Sequence, residues 1–182
     1  GHLLRPLAYQ THPYQWPTIG KELSHIANAT LEEVKAFFFR FYAPNNAILA
    51  VTGNISFEEA VALTEKWFGS IPRREVPQRN LPQEQEQTEE RRLTVERNVP
   101  LDSLFMAYHM CDHRHPDYYV FDILSDVLSN GRSSRFNQHL VQEKQLFSSI
   151  DAYISGSVDA GLFHIAGKPS AGVSLERAEA AV

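Results

Sequence analysis

The stretch that decides the fold is SSIDAYISGSVDAGLFHIA, residues 148–166. Two β-type runs, Ser148–Ser155 and Leu162–Ala166, flank a segment that begins and ends with glycine at 156 and 161. Short runs rich in Ile, Tyr and Phe, joined by a Gly-containing link, are typical of a β-hairpin. The sequence therefore predicts two neighbouring antiparallel strands here.

The residues that precede the hairpin predict two more strands and two helices. Arg91–Asn98 alternates apolar and polar residues, and Leu104–Met110 is mostly apolar, so each is interpreted as a strand. Apolar residues at helical spacing predict helices over about 117–129 and about 133–145.

The first 72 residues predict a helix, a strand and a second helix. Thr30-Leu31-Glu32-Glu33 and Ser56-Phe57-Glu58-Glu59 are capping boxes, which open helices over about 31–42 and from 57 to Gly69. The apolar run 47–51 between them is interpreted as a strand buried on both faces. The aromatic residues on the two helices are interpreted as core: Phe37, Phe38, Phe41, Phe57, Trp67 and Phe68.

Composition excludes several classes of protein. The 182 residues carry a formal charge of −5 and are 43% hydrophobic, which disfavours a nucleic-acid binder, since that class shows clustered basic charge. No apolar run approaches the roughly 18 residues that a membrane span needs. Cys111 is the one cysteine and cannot form an internal disulfide. The stretch from Ser70 to about Glu90, rich in Pro, Gln and Glu, is interpreted as a linker.

The two ends suggest an internal piece of a longer protein. The chain starts Gly1-His2-Leu3, without an initiator Met. It ends in a helix-forming run, Leu175–Val182, which Ser174 can cap and which shows no stop signal. We therefore expect the chain to be part of a larger parent.

The segment His109–His115 is the first candidate for chemistry, because it contains His-x-x-Asp-His, one methylene from the zinc-peptidase motif His-x-x-Glu-His. That motif requires a helix, and this segment is predicted to be a strand that ends in a loop before Pro116. In a strand, His109 and His113 would lie about 13 Å apart, too far to share a zinc. A weak surface metal site formed by His113, His115 and Cys111 stays open as an alternative.

Three other candidates are weaker. Gly131-Arg132-Ser133-Ser134-Arg135 could hold a phosphate at a helix N-terminus, but a serine cap with solvated arginines is favoured. Asn137, His139 and Ser148 form no recognisable triad. His12, which precedes Pro13, is interpreted as a turn residue.

Several longer motifs together resemble one family. They are HPYQWPTIG at 12–20, TLEEVKAF at 30–37, FYAPNNA at 41–47, VTGNI at 51–55, a helix that ends WFGSIP at 67–72, and SSRF at 133–136. This combination resembles the insulinase/pitrilysin-type zinc metallopeptidases, the family that includes mitochondrial processing peptidase. The similarity covers nearly the whole chain.

The resemblance implies an α+β fold, with two-layer units of largely antiparallel sheet that carry helices on one face. Residues 1–72 would be the closing part of a first unit, 73–90 a linker, and 91–182 the opening part of a second, non-catalytic unit. The family's zinc ligands would lie upstream, so no catalytic or metal residue is expected in this chain, although the parent would bind zinc. Some second units carry a substrate-holding Arg and Tyr, and Val141 and Ser148 occupy those positions here.

The resemblance thus implies the non-catalytic region of a zinc-dependent metalloendopeptidase. It would form chamber wall and inter-unit packing, while an upstream zinc unit cleaves the peptide substrate. A second homologous half or a partner chain would supply the missing Arg and Tyr. The alternative is part of a zinc-free homologue that acts as a scaffold or partner subunit. Neither nucleic acid nor a membrane is expected as a partner.

Overall fold

The computed structural model describes residues 2–182, which form two compact units. Residues 2–17 join residues 83–182 in one of them, named here the sheet unit. Thr18–Pro82 form the other, named the helical unit. The boundaries implied by the family resemblance, 1–72, 73–90 and 91–182, concern units of the parent and stay a prediction.

The sheet unit is built on three antiparallel strands. They are β1 (Leu104–His109), β2 (Phe147–Ser155) and β3 (Leu162–Pro169), in the order β1-β3-β2. Met106 lies opposite Ile165, which in turn lies opposite Ala152, so these three side chains share one face. The predicted hairpin is confirmed, and so is the predicted strand before residue 110.

Helices cover one face of this sheet. α5 (Tyr118–Ser129) and a π-helix (Phe136–Glu143) both pack against β2, and α6 (Leu175–Glu179) lies nearer β1. Between them and the sheet lies the core: Met110, Phe136, Leu140, Leu146, Phe147, Ile150, Ala152, Phe163, Ile165 and Ala178. An antiparallel sheet with helices on one face is the predicted α+β architecture, which the structure confirms.

The second face of the sheet is covered at one end by the N-terminal residues. α1 (Arg5–Ala8) and a 3-10 turn (Pro13–Gln15) lie there. Ala8 and Tyr9 form a small buried cluster with Leu162, and Tyr14 and Ala107 pack against it.

The helical unit contains α2 (Leu23–Ala27), α3 (Leu31–Phe41), a 3-10 turn (Pro44–Asn46) and α4 (Phe57–Phe68). The capping box of α3 is complete, because Glu33 N–H donates to Thr30 Oγ1 and Thr30 N–H donates to a carboxylate oxygen of Glu33. In α4 Ser56 accepts from Glu59 N–H, and Gly69 ends the helix, as predicted.

The aromatic stripes of the helical unit are not core in this chain, contrary to the prediction. Phe37 is 58% exposed, Phe57 78% and Trp67 66%, Phe38 and Phe68 are also exposed, and Phe41 is only half-buried. The spacing placed these side chains on one side of each helix, but burial also needs a second surface to pack against. Within residues 18–82 the structure places no such surface over them.

Two predicted strands are also absent from the described residues. Neither 47–51 nor 91–98 forms a strand, and Ile48 is 99% exposed. A strand gains its stability from a hydrogen-bonded neighbour, so a β-type pattern alone does not produce one. Between Phe68 and Leu104 the described chain has neither helix nor strand. Among residues 2–182 no helix is long and apolar enough to cross a membrane.

Candidate functional site

The histidines of the segment 109–115 point to separate backbone partners. His109 Nε2 lies 2.9 Å from the carbonyl oxygen of Ala8, and His113 Nδ1 lies 2.6 Å from that of Ser157. A ring nitrogen that faces a carbonyl carries its proton there and has no lone pair to offer a metal at that atom. His115 Nδ1 accepts from the N–H of Asp117.

These residues do not fit a zinc site. Within residues 2–182 no group of three or more His, Cys, Asp or Glu side chains is arranged to hold a metal ion. His113, His115 and Cys111, considered above as a surface metal site, therefore do not form a group of ligands. The described residues therefore do not fit the zinc that the family resemblance implies for the parent.

The serine cap predicted in the segment 131–135 is not formed. The π-helix begins after Arg135, and no side chain caps it. Ser134 is buried at 4% exposure, and its hydroxyl has no partner among the described residues, whereas its carbonyl accepts from Gln138 N–H. Arg132 and Arg135 are exposed, in agreement with the predicted solvated arginines.

The positions compared with the substrate-holding Arg and Tyr lie on different elements. Val141 is on the π-helix and packs partly against the core. Ser148 is exposed on β2, and its hydroxyl donates to the carbonyl of Lys168. His139, considered as a triad member, instead pairs with the exposed Glu143 at 2.8 Å. His139 and Ser148 thus hydrogen-bond to different partners and not to each other.

A connected polar cluster joins residues 5–16, named here the strap, to the turn between β2 and β3. His12 is 4% exposed, and its Nδ1 accepts from the N–H of Tyr14 at 3.1 Å. Its Nε2 therefore carries the proton, which it donates to Asp159 Oδ2 at 3.0 Å. Tyr14 Oη donates to Ser157 Oγ at 2.6 Å and accepts from the N–H of Asp159. Both ring nitrogens of His12 are thus used.

A carboxylate holds the strap from the other side. Glu84 accepts three backbone N–H groups of the strap, at 2.8–2.9 Å: those of Gln10, Thr11 and His12. Burial alone raises the pKa of Glu84, but these hydrogen bonds and the nearby His109 outweigh it, so the pKa lies below its ordinary value. Consecutive amides around one carboxylate form an anion-binding nest, filled here by the chain's own side chain.

Tyr9 anchors the strap on the sheet. Its ring is 4% exposed and meets the ring of His109 edge-on, with 5.4 Å between centroids. Its hydroxyl donates to the carbonyl of Ala160 at 2.9 Å, and burial raises the pKa of Tyr9 to about 12. Arg91 donates to the carbonyls of Leu7 and Ala8 at 2.7 and 3.3 Å, at the C-terminal end of α1.

Sequence reasoning missed this cluster. The His12-Pro13 pair predicted a turn, and His12 does cap the 3-10 turn at 13–15. Its partner Asp159 lies 147 residues away, and Glu84 lies in a segment interpreted as linker. Nothing local in the sequence distinguishes Glu84 from the other acidic residues of that segment.

His164 forms a second polar contact on the same face of the sheet. Its Nε2 lies 2.8 Å from Ser155 Oγ, and its ring stacks on Tyr153 with 4.9 Å between centroids. Burial, followed by the positive charge of Arg5, lowers the pKa of His164 and favours the neutral ring. Ser155 Oγ also lies 3.3 Å from the carbonyl oxygen of Leu162, which gives the serine proton an acceptor other than His164.

Comparisons with known proteins agree with the sequence motifs. The family model described as "Peptidase M16 inactive domain" matches residues 28–182. The zinc protease PqqE of Helicobacter pylori is 31% identical over 161 residues, which are 86% of this chain and 36% of that protein. The uncharacterized zinc protease YmxG of Bacillus subtilis is 27% identical over 165 residues, 91% of this chain and 39% of that protein.

A solved structure shares the fold. The crystal structure of a protease from Helicobacter pylori superposes with a TM-score of 0.84 and 28% identity, over 98% of this chain and 44% of that one. The chain thus spans less than half the length of these relatives. The family model covers most of the chain, and the relatives are named zinc proteases, in agreement with the family that the motifs resemble. The chain therefore belongs to the peptidase M16 inactive domain family, within the insulinase-like zinc peptidases.

Proposed function

We propose that this chain is the non-catalytic region of a zinc-dependent metalloendopeptidase. It forms chamber wall and inter-unit packing, and a zinc unit elsewhere in the parent cleaves the peptide. The match to an inactive-domain family supports the non-catalytic assignment, and the zinc-protease names of the relatives support the parent's activity.

The exposed apolar helix faces are the structural observation that carries the packing role. In the sheet unit, α5 contacts β2 with one side and exposes a second apolar side, which includes Val120, Ile123 and Val127. In the helical unit, an apolar groove of about 170 Å³ is lined by residues such as Leu49, Leu63 and Trp67. Contiguous exposed apolar side chains typically mark a site of contact with other protein.

The test compares the parent protein with the 182-residue chain on unstructured peptides. We expect the parent to bind zinc and cleave, and the chain alone to do neither. Hydrolysis by the chain alone would contradict the assignment. A parent without zinc or activity would instead favour the zinc-free scaffold.

A second arm tests the packing role in the parent. Ile123→Asp places a charge on the exposed side of α5, so we expect lower kcat/KM or weaker association of the parent's units. The neighbouring Asp122→Asn is the matched control, because Asp122 is already polar and exposed. If both variants behave like the wild type, α5 does not contribute to packing.

A further inference from the structure

The strap is held mainly by contacts that do not belong to the core of the sheet unit. Its buried apolar part is small, since Ala8 and Tyr9 share a cluster with Leu162 and only two partly buried neighbours. The remaining contacts are the edge-on packing of the Tyr9 ring against His109 and a set of hydrogen bonds, of which the Glu84 carboxylate accepts three. Hydrogen bonds to a charged group are roughly twice as strong as those between neutral groups. The charge of one side chain therefore strengthens three of the hydrogen bonds that dock the strap.

We propose that the strap can detach from the sheet and that the negative charge of Glu84 keeps it docked. While Glu84 is charged, residues 5–16 stay docked on the second face of the sheet. Protonation or removal of that charge raises the population of an open state, in which the whole strap leaves while the helices and strands of the core stay folded. Opening would uncover Ala107 and Leu162 on that face of the sheet. This inference is independent of the proposed function.

The direction of the pH dependence follows from Glu84. Its pKa is lower in the docked state than in the open state, so docking is fully stabilised above the open-state pKa and weakens as the pH falls through the docked-state pKa. The other titratable or charged groups around the strap come from each element that faces it: Arg5, Tyr9, His12 and Tyr14 of the strap, Arg91, His109 of β1, His113, Asp159 of the turn, and His164 of β3.

His12 adds a second contact that depends on protonation. Its Nδ1 must be unprotonated to accept from Tyr14 N–H, so a proton there removes the cap of the 3-10 turn. The same proton strengthens the attraction between His12 and an ionised Asp159. These two effects oppose each other, whereas the three amide hydrogen bonds to Glu84 all weaken when that carboxylate is protonated.

The test is amide hydrogen exchange on the full chain with Glu84→Gln. The informative amides are those of Leu7, Ala8 and Tyr9, because they bond within α1 and not to Glu84. We expect their exchange to accelerate about 10-fold or more at neutral pH, together with Gln10–His12, while the amides of β2 and β3 keep their protection. Glu86→Gln, the same charge change two residues further on, is the control and should exchange like the wild type.

Two results would overturn the proposal. If only the amides of Gln10, Thr11 and His12 accelerate, Glu84 merely shields those groups and the strap does not open as a unit. If β2 and β3 lose protection to the same extent, the strap is part of the core. Should Glu84→Gln fail to fold, the wild type can be measured from pH 7 down to pH 3.5 after correction for intrinsic exchange rates. Unchanged protection of α1 across that range would equally contradict the proposal.

Discussion

Gln145 is a residue with a backbone conformation that its side chain disfavours. It links the π-helix to β2 with φ of 52°, in the left-handed region where glycine is preferred. We predict that Gln145→Gly raises the free energy of unfolding by up to about 1 kcal/mol, because relief of the backbone strain exceeds the entropy cost of glycine. Urea unfolding monitored by circular dichroism measures it.

The control for this substitution lies three residues earlier in the π-helix. Gln142→Gly introduces the same residue where φ is helical, and we expect it to lower the free energy of unfolding by about 1 kcal/mol. If both variants lower the free energy of unfolding equally, the left-handed conformation of Gln145 does not strain the backbone.

Gly167 is a position where the core leaves no room for a side chain. It is buried in β3, and a Cβ atom there would lie 2.6 Å from Cε1 of Phe147, which is itself 1% exposed. We predict that Gly167→Ala lowers the free energy of unfolding by about 1–3 kcal/mol through overpacking. Ser149→Ala, at an exposed position of the neighbouring β2, should stay within about 0.5 kcal/mol.

A second variant identifies the cause of that loss. If the clash with the ring is responsible, Phe147→Leu combined with Gly167→Ala should lose less than the sum of the two single variants. If the losses in free energy of unfolding of the two single variants simply add in the double variant, the ring clash is not the cause. The loss at Gly167 would then arise in the backbone of β3.

At the residue scale, the sequence predicts those contacts that form between residues close together in the chain. The Thr30 and Ser174 caps were predicted because each partner lies three residues away, and both hydrogen bonds form. The buried state of His12 was not predicted, since it depends on Asp159 across the sheet unit. For Ser134 a cap was predicted that does not form. Its residue type is well suited to cap a helix, but the side chain is buried without a cap hydrogen bond.

The capping box of α3 is a feature whose effect belongs to a whole element. We predict that Thr30→Ala lowers the local stability of the first turn of α3 by about 1 kcal/mol, since it leaves Glu33 N–H without its acceptor. Amide exchange of Glu33 and of the residues that follow should accelerate about fivefold. Mass spectrometry of the exchanged peptides measures it.

Thr64→Ala is the matched control for that cap. Thr64 lies inside α4, and its hydroxyl donates to the carbonyl of Ala60, a bond that does not open a helix. Alanine is the better helix former, so α4 should keep or gain protection. If Thr64→Ala lowers amide protection in α4 as much as Thr30→Ala lowers it in α3, the capping argument is contradicted.

Helices were predicted better than strands at the scale of elements. Periodicity and caps place α3, α4 and α5 within about one residue, because a helix satisfies its backbone within its own sequence. The hairpin was predicted for the same reason, since its two strands are neighbours in the chain. The segments 47–51 and 91–98 carry a β-type pattern without a paired strand, and a single sequence does not show whether such a partner is present. The π-helix has the spacing of an ordinary helix and was predicted as one.

At the scale of the whole molecule, one helix pattern has two outcomes. The apolar residues of α5 that face β2 lie against the core, whereas those of α3 and α4 remain exposed in the helical unit. Hydrophobic spacing shows which side of a helix is apolar, but it does not show whether the surface that covers it belongs to the same chain. The chain spans less than half the length of its relatives, and the exposed faces are the ones that we propose to be covered in a parent protein.

The last prediction therefore compares the same substitutions in two contexts. Phe57 and Ile123 are 78% and 63% exposed here, so Phe57→Ser and Ile123→Ser should change the free energy of unfolding of this chain by no more than about 0.5 kcal/mol. In the parent, where we propose that these faces are covered, each should cost about 1.5–3 kcal/mol, the value of burying one large apolar side chain. Glu58→Ser, at an exposed charged position of α4, should be neutral in both. Denaturant unfolding of the two proteins measures these changes in the free energy of unfolding. Equally small changes in both proteins would mean that the faces stay exposed in the parent and contribute no inter-unit packing.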